Sequence, residues 1–427
     1  MSALRDQASL ADEARPSEPN QRRAVLALRR DLKMARSAHA FVRGSTERFY
    51  QWLEARGAVA LPSGPDVWIC GDCHVGNMGP VGRCEGAAVV ELRDLDQTVI
   101  GNPAFDLVRL ALSLAMAARS SDLPGVTTAR MTEDLVAGYE RAFAGDRPSE
   151  QVDELPQPIQ FVMKQALKRS WKHLFLERLG QDAPRLPLGK KFWPLTTGER
   201  DAVAALIEEE GIRRLVTRLE SRHDDAEVRL VDAAYWVKGC SSLGLWRVAA
   251  LVEIRDESKK GKPRRTRSLL DVKEAIETWA PAAHRAHLPR HHGERVVAGA
   301  RKVAPALGER MVAATILERC VFIRELLPQD LKVELDELSA DEGRAVAHYL
   351  GMVVGRAHSR QLPAGERDAW LAALAAHRTK NIDAPSWLWQ SVVELVAEHE
   401  RAYLEHCRRY ALDVARRAEE ARKAVVG

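Results

Sequence analysis

The stretch Val67-Trp68-Ile69-Cys70-Gly71-Asp72-Cys73-His74-Val75-Gly76-Asn77, followed shortly by Val89-Val90-Glu91-Leu92-Arg93-Asp94-Leu95-Asp96-Gln97, organises the rest of the chain. Each is an apolar run of strand length that ends in a turn-forming segment carrying carboxylates. A hydroxyl that attacks a phosphoryl group needs a carboxylate to orient it. The Mg²⁺ that neutralises phosphates takes an Asn or Asp together with a second Asp. Asp72, Asn77 and Asp94 supply one such set at two strand ends.

The 427 residues can bury a sizeable core and are expected to form more than one unit, because single cores stop growing at roughly 250 to 300 residues. Hydrophobic residues make up 46%, and 64 basic against 60 acidic groups leave a net charge of +4. That balance calls for neither nucleic acid nor an anionic membrane as partner. Residues 1–22 are polar, carry Asp6, Asp12 and Glu13, and are expected to be a disordered tail without the apolar core of a signal peptide. The most apolar helical stretch, 107–118, is too short to span a bilayer and contains Arg109. Six cysteines in a chain of this length fit reduced thiols and a cytoplasmic location.

Helical periodicity covers 23–56 with a break at 39–45, where Ser45 or Thr46 could cap the second helix. The two strands follow, joined across the glycine-rich loop 79–86 as a small hairpin. Gly101-Asn102-Pro103 then makes a turn into helices at 104–118, 132–144, 158–179 and 199–221. Strand patterns take over at 227–231, 234–237, 245–255, 267–273 and 320–326. The basic run Lys259-Lys260-Gly261-Lys262-Pro263-Arg264-Arg265 reads as a solvated hairpin tip rather than a polyanion contact. Helices return at 340–361 and 387–424, and no internal repeat is present.

Several constellations carry ligand chemistry. Cys70-Gly71-Asp72-Cys73-His74 has the spacing of covalent haem attachment, and Cys70, Cys73, His74 and Cys84 have zinc-ligand chemistry. No export signal is expected, which sets the haem reading aside, and a buried thiol at a strand end accounts for Cys70 more simply than zinc does. His284, His287, His291 and His292 surround Pro289 among arginines whose charge disfavours a metal. In Lys238-Gly239-Cys240-Ser241-Ser242-Leu243-Gly244, two glycines flank Ser241 and Ser242. Such a loop lets backbone amides approach phosphate oxygens. An ordinary hairpin turn would look the same, and no Lys-Ser or Lys-Thr pair completes a Walker loop. The next strand, Leu269-Leu270-Asp271-Val272-Lys273-Glu274-Ala275, holds a lysine inside an apolar segment, where it needs a carboxylate or a phosphate.

At these residues the sequence resembles the kinase-like phosphotransferases, the aminoglycoside and choline kinase group in particular. Their catalytic loop reads roughly His-Gly-Asp-x-His-x-Gly-Asn, and a later metal aspartate precedes a Gly-Asp-Pro-x-x-Asp-Leu segment. Here Cys70 replaces the leading His, Gly71 to Asn77 agree at the defining positions, and Gly101-Asn102-Pro103-Ala104-Phe105-Asp106-Leu107 matches with Asn for Asp. More closely, the chain resembles the bacterial family called domain of unknown function 2252 over most of residues 23–362. Lys33-Met34-Ala35-Arg36-Ser37, Phe41-Val42-Arg43-Gly44, Ile323-Arg324-Glu325-Leu326 and Gly355-Arg356-Ala357-His358 carry that likeness with the aspartate motifs.

The resemblance implies a two-lobed α+β fold that binds ATP and Mg²⁺ and transfers a phosphoryl group to an unknown hydroxyl acceptor. Asp72 would be the base in a catalytic loop with His74, Asn77 and Asp94 the Mg²⁺ ligands, and Asp106 a brace. Gly239, Ser241, Ser242 and Gly244 would cover the nucleotide, Lys273, held in a salt bridge by Glu294, would grip its phosphates, and Arg324, Glu325 and Leu326 would form a hinge. Arg43 would contact a phosphate or acceptor, or pair with an acidic neighbour. The order is changed, because in ordinary kinases the glycine loop and lysine precede the catalytic loop. Circular permutation would produce this order. It would divide the chain into a catalytic lobe at 23–224, a β-rich nucleotide lobe at 225–335 and helices completing the catalytic lobe at 336–427. Two rival functions are nucleotide binding without turnover and nucleotidyl (AMP) transfer.

Overall fold

Among the described residues the chain opens on three helices: α1 (Pro19–Met34), α2 (Ala38–Gly44) and α3 (Thr46–Arg56). The computed structural model describes residues 16–426 apart from 17, 57–60, 84–86, 146–149, 180–184, 218–225, 257–263, 334–337 and 378–385. The tail up to residue 15, Cys84 and positions 259–263 of the basic run therefore lie outside the described residues. Helix α1 begins within the stretch expected to be a tail, because Arg22 is buried against Glu199, with Nη1 donating to Oε1 at 2.9 Å. The break expected over 39–45 is itself helical. Ser37 caps α2 by accepting from the Ala40 amide, and the Ser45 hydroxyl closes it by donating to the Phe41 carbonyl at 2.8 Å.

Four short strands follow: β1 (Val67–Ile69), β2 (Met78–Gly82), β3 (Ala88–Leu92) and β4 (Val99–Gly101). β1 pairs with β4 and β2 with β3, both antiparallel. The single hairpin expected between the two aspartate-bearing runs is thus two nested pairs. β2 was hidden because Gly79 and Pro80 suppress strand signals. Gly79 is required there, since a Cβ would lie 2.3 Å from the Leu331 carbonyl oxygen.

Helices α4 (Ala104–Ser120), α5 (Gly125–Phe143), α6 (Gln157–Lys168) and α7 (Trp171–Leu179) come next, then strand β5 (Phe192–Trp193) and helices α8 (Thr197–Glu208) and α9 (Glu210–Thr217). The helices expected at 158–179 and 199–221 are each split, at Arg169 and Glu209, which adopt extended backbone. The main sheet adds β6 (Glu227–Trp236), β7 (Arg247–Asp256) and β8 (Arg264–Glu274). After helices α10 (His292–Val303) and α11 (Pro305–Gly308) come β9 (Met311–Ile316) and β10 (Arg319–Glu325). The strand order is β5-β6-β7-β8-β10-β9, antiparallel throughout. The strands expected at 227–231 and 234–237 are one strand, irregular between Leu230 and Asp232. Helices α12 (Ala340–Ser359), α13 (Ala364–Ala376) and α14 (Ser386–Val426) end the chain.

The protein is α+β, with both faces of its main sheet covered. Val248, Ala250, Val252, Leu270, Val272 and Ile323 pack on one face against Val203, Leu206, Ile212 and Leu215 of α8 and α9. Ala249, Leu251 and Leu269 pack on the other with Leu174 and Phe192. The apolar stripes of α8 and α9, which precede the expected boundary at residue 225, are buried on this sheet. The rest of the apolar core surrounds α4, which is buried along nearly its whole length. Among the described residues no helix is long and apolar enough to cross a membrane.

Helices α5 and α12 touch backbone to backbone. A Cβ at Gly138 would lie 2.0 Å from the His348 carbonyl oxygen, and one at Gly351 would lie 2.1 Å from that of Leu135. Gly351→Ala is expected to force the pair apart and destabilise the protein by about 1–3 kcal/mol. The check is a lower urea midpoint with an unchanged slope. A midpoint equal to the wild type's would mean that the helices separate without cost.

Candidate active site

The loop after β1 is held from below by one buried carboxylate. Asp106, in the first turn of α4, accepts from the Cys70 and Gly71 amides at 2.7 and 3.0 Å. His358 of α12 contacts the same carboxylate through Nε2 at 3.2 Å. The Tyr139 hydroxyl meets His358 Nδ1, and Trp370 Nε1 donates to that hydroxyl. Gly71 has φ of 74°, and a Cβ there would lie 2.1 Å from the Gln97 carbonyl oxygen, so the two aspartate segments can meet only with glycine at this position. The brace expected of Asp106 and the packing of the His358 helix beneath the loop are both present.

Asp72 emerges from this scaffold with Oδ1 accepting from Arg109 Nε at 2.9 Å and Oδ2 from Thr46 Oγ1 at 2.8 Å. A short 3₁₀ turn, Val75–Asn77, carries Asn77. Its Nδ2 donates to the carbonyls of Asp72 at 2.9 Å and Asp94 at 3.2 Å, which links the two motifs. Asp72, Asn77, Asp94 and Asp96 line a cleft of about 770 Å³. Ser241, Ser242, Gly244, Trp246 and Glu274 also line it.

Lys273, on β8 and only 2% exposed, reaches across to this carboxylate set. Its Nζ contacts Asp94 Oδ1 at 3.3 Å and makes a closer contact with Asp96. Burial works to raise the Asp94 carboxyl, but the Lys273 ammonium, a hydrogen bond from Asp96 and the Arg324 charge hold it well below the usual carboxylate range. Burial, then the Asp94 charge, pushes Asp96 up to about 6, with Lys273 opposing. Asp94 faces the cleft with 53% of its side chain exposed. The Asn77 side-chain amide donates both of its hydrogens to backbone carbonyls, and its side-chain oxygen Oδ1 has no protein partner among the described residues. Two oxygen donors of this kind, supplemented by phosphate and water, fit Mg²⁺, which binds through one or two carboxylates rather than a full protein cage. Among the described residues no group of three or more His, Cys, Asp or Glu could hold a metal by itself.

Several expected roles need correction. Glu294 does not pair with Lys273. It is exposed in the first turn of α10, while the next residue, Arg295, points inward and donates to the carbonyls of Asp96 at 2.7 Å and Ile276 at 2.9 Å. Arg324, Glu325 and Leu326 do not line the cleft described above. Arg324 contacts Asp271 Oδ2 through Nε and Nη2 and donates to the Arg93 carbonyl, Glu325 accepts from Ser268, and the Leu326 amide donates to Leu269. These bonds tie β10 to β8 and to the Asp94 segment. Arg247 joins the same cluster by gripping Asp271 on the face of the sheet that carries Lys273.

His74 is buried outside the cleft lining and is neutral at pH 7. Burial lowers its imidazole to about 3, against the Asp72 charge and helped by Arg43 and Arg109. It is therefore not charged to act as a proton donor. In the loop between β6 and β7, Gly239 and Gly244 both have φ above 100°, the region that favours glycine, and the Gly239 carbonyl accepts from Lys33 Nζ at 2.7 Å. Ser241, Ser242 and Gly244 reach the cleft; Gly239 does not line it. Arg43 has no acidic partner among the described residues.

Sequence reasoning missed Asp96, Arg109, Arg295 and Thr46. Asp96 could have been read from the Asp94-Leu95-Asp96 alternation, which puts both carboxylates on one side of an extended segment. Arg109 sat in the most apolar helix of the chain, and a cation there requires a buried anion.

A family model described as "Uncharacterized protein conserved in bacteria (DUF2252)" matches residues 22–409. No curated protein and no solved structure matches the chain.

Proposed function

The chain belongs to the bacterial family DUF2252, and from that premise we propose that it is an ATP-dependent phosphotransferase with a permuted, two-lobed kinase-like fold. The observation that carries this reading is the meeting of Lys273 with Asp94 and Asp96, from segments 179 and 177 residues away, at a cleft lined by a glycine-flanked loop and by Asp72 and Asn77. In kinases a strand lysine holds phosphates and an aspartate with an asparagine holds the metal. The main sheet with α8–α11 forms the nucleotide side, and the helices before and after it, including α12, form the side that carries the chemistry.

In this mechanism the Asp72 carboxylate, fixed by Arg109 and Thr46, accepts the proton of the acceptor hydroxyl. The hydroxyl oxygen bonds to the γ-phosphorus, and the bond from that phosphorus to the β-bridging oxygen breaks. Lys273 turns from its carboxylates toward the α and β phosphates. Asn77 and Asp94 would hold Mg²⁺, which would supply positive charge to neutralise the phosphate oxygens. The Ser241–Gly244 segment closes over the phosphates with its backbone amides and keeps water out.

The test is incubation with a bacterial metabolite extract and ATP radiolabelled at either the γ or the α phosphate. Label passing from the γ position to an acceptor, and not in an Asp72→Asn variant, is the expected outcome. Transfer from the α position alone would make the enzyme a nucleotidyl transferase, and transfer from neither would leave a nucleotide-binding module.

A further inference from the structure

Three cations are built onto residues 76–80, the segment that carries Asn77. The Arg43 guanidinium lies flat against Gly76, where a Cβ would be 2.8 Å from its Cζ and 2.9 Å from Nη2. The Arg93 amide donates to the Asn77 carbonyl at 2.7 Å. Lys332 sits between two backbone bonds to the same strand, from the Leu331 amide to Pro80 at 3.2 Å and from the Val333 amide to Met78 at 3.0 Å. Lys33, bonded to the Gly239 carbonyl, is a fourth cation nearby.

These charges are not neutralised by the protein. Among the described residues, Arg43, Arg93 and Lys332 have neither a salt bridge nor a side-chain hydrogen bond. Arg43 Nε and Arg93 Nη1 are buried without a partner. The closest carboxylates are engaged elsewhere, Asp94 by Lys273 and Asp330 by Arg310 at 2.9 Å. The crowding is felt electrostatically. Lys332 is exposed, yet the surrounding protein and then Arg43 lower its ammonium to about 8, with Asp94 opposing and Arg93 and Lys33 adding to the effect.

The buried guanidinium nitrogens of Arg43 and Arg93 have lost water without gaining a partner, which costs free energy unless an anion completes them. Guanidinium forks match phosphate oxygens in geometry as well as charge. We propose that Arg43, Arg93 and Lys332 form an anion subsite for a phosphoryl group, borne either by the nucleotide or by the acceptor itself. The subsite rests on the cleft being the working site, as argued above. It does not depend on transfer or on Mg²⁺, since its donors are distinct from Asn77, Asp94 and Lys273.

The test is calorimetric titration of the full chain with inorganic pyrophosphate in the absence of Mg²⁺. Saturable binding is expected, weakened at least tenfold by Arg43→Gln combined with Lys332→Gln, and about threefold or more by Lys332→Gln alone. That lysine is exposed, so its replacement does not threaten folding. Asp94→Asn should bind pyrophosphate at least as well as wild type, because it removes a repelling charge. This separates the subsite from the metal assignment. Repeating the titration with saturating ATP identifies the source: competition assigns the group to the nucleotide, and undiminished binding assigns it to the acceptor. No saturable binding to wild type, or equal binding to the double variant, would overturn the proposal.

Discussion

Asp72→Asn is expected to lower turnover by about 10²- to 10⁴-fold, the usual contribution of a positioned general base, while leaving Mg²⁺-ATP binding in place. Both effects follow from where the carboxylate stands. It touches Arg109 and Thr46 but neither Lys273 nor the glycine-flanked loop, so its loss affects the acceptor proton and not the nucleotide. The change also leaves the buried Arg109 guanidinium without its counter-charge. Breaking a buried pair in this way costs about 3–5 kcal/mol of stability. Binding and turnover should therefore be measured on the same preparation, at a temperature where the variant is folded. Undiminished ATP turnover in the variant would give Asp72 a purely structural part, as the anchor of Arg109.

Asp94→Asn should have the opposite signature. Mg²⁺-ATP at about 100 times its dissociation constant stabilises a protein by about 2.7 kcal/mol, and most of that should vanish in this variant. The fold should survive, because Lys273 keeps Asp96 as its partner. Wild-type stabilisation that persists in Asp94→Asn would remove Asp94 from the metal site.

The parts of the site legible in the sequence are those whose chemistry is local. Asp72, Asn77 and Asp94 follow apolar runs that end in turns, and the structure brings all three to one cleft. Lys273 was legible for a related reason, since a lysine inside an apolar strand must meet an anion. Its partner was not legible. The expected carboxylate, Glu294, is one residue from the inward-facing position of α10, and a helix turns about 100° per residue, so Arg295 takes that place.

Strand register hid the rest. Arg324 lies opposite Asp271 across β10 and β8, a pairing that sequence cannot supply before the sheet is known, and the pair explains why the expected hinge is occupied by an ion cluster. β2 escaped because Gly79 and Pro80 serve the crossing of the 331–333 segment instead of strand propensity. The cationic subsite escaped for the same reason, since Arg43, Arg93 and Lys332 come from three distant segments that meet only around that crossing.

The central claim, that segments far apart in the chain form one nucleotide cleft, is tested most directly by a crystal structure of the protein grown with Mg²⁺ and a non-hydrolysable ATP analogue. The metal is expected on Asn77 Oδ1 and the Asp94 carboxylate, with the Lys273 ammonium moved onto the α and β phosphates and the Gly239–Gly244 loop above them. A nucleotide bound elsewhere, or a cleft still closed by the Lys273 ion pairs at saturating analogue, would contradict it.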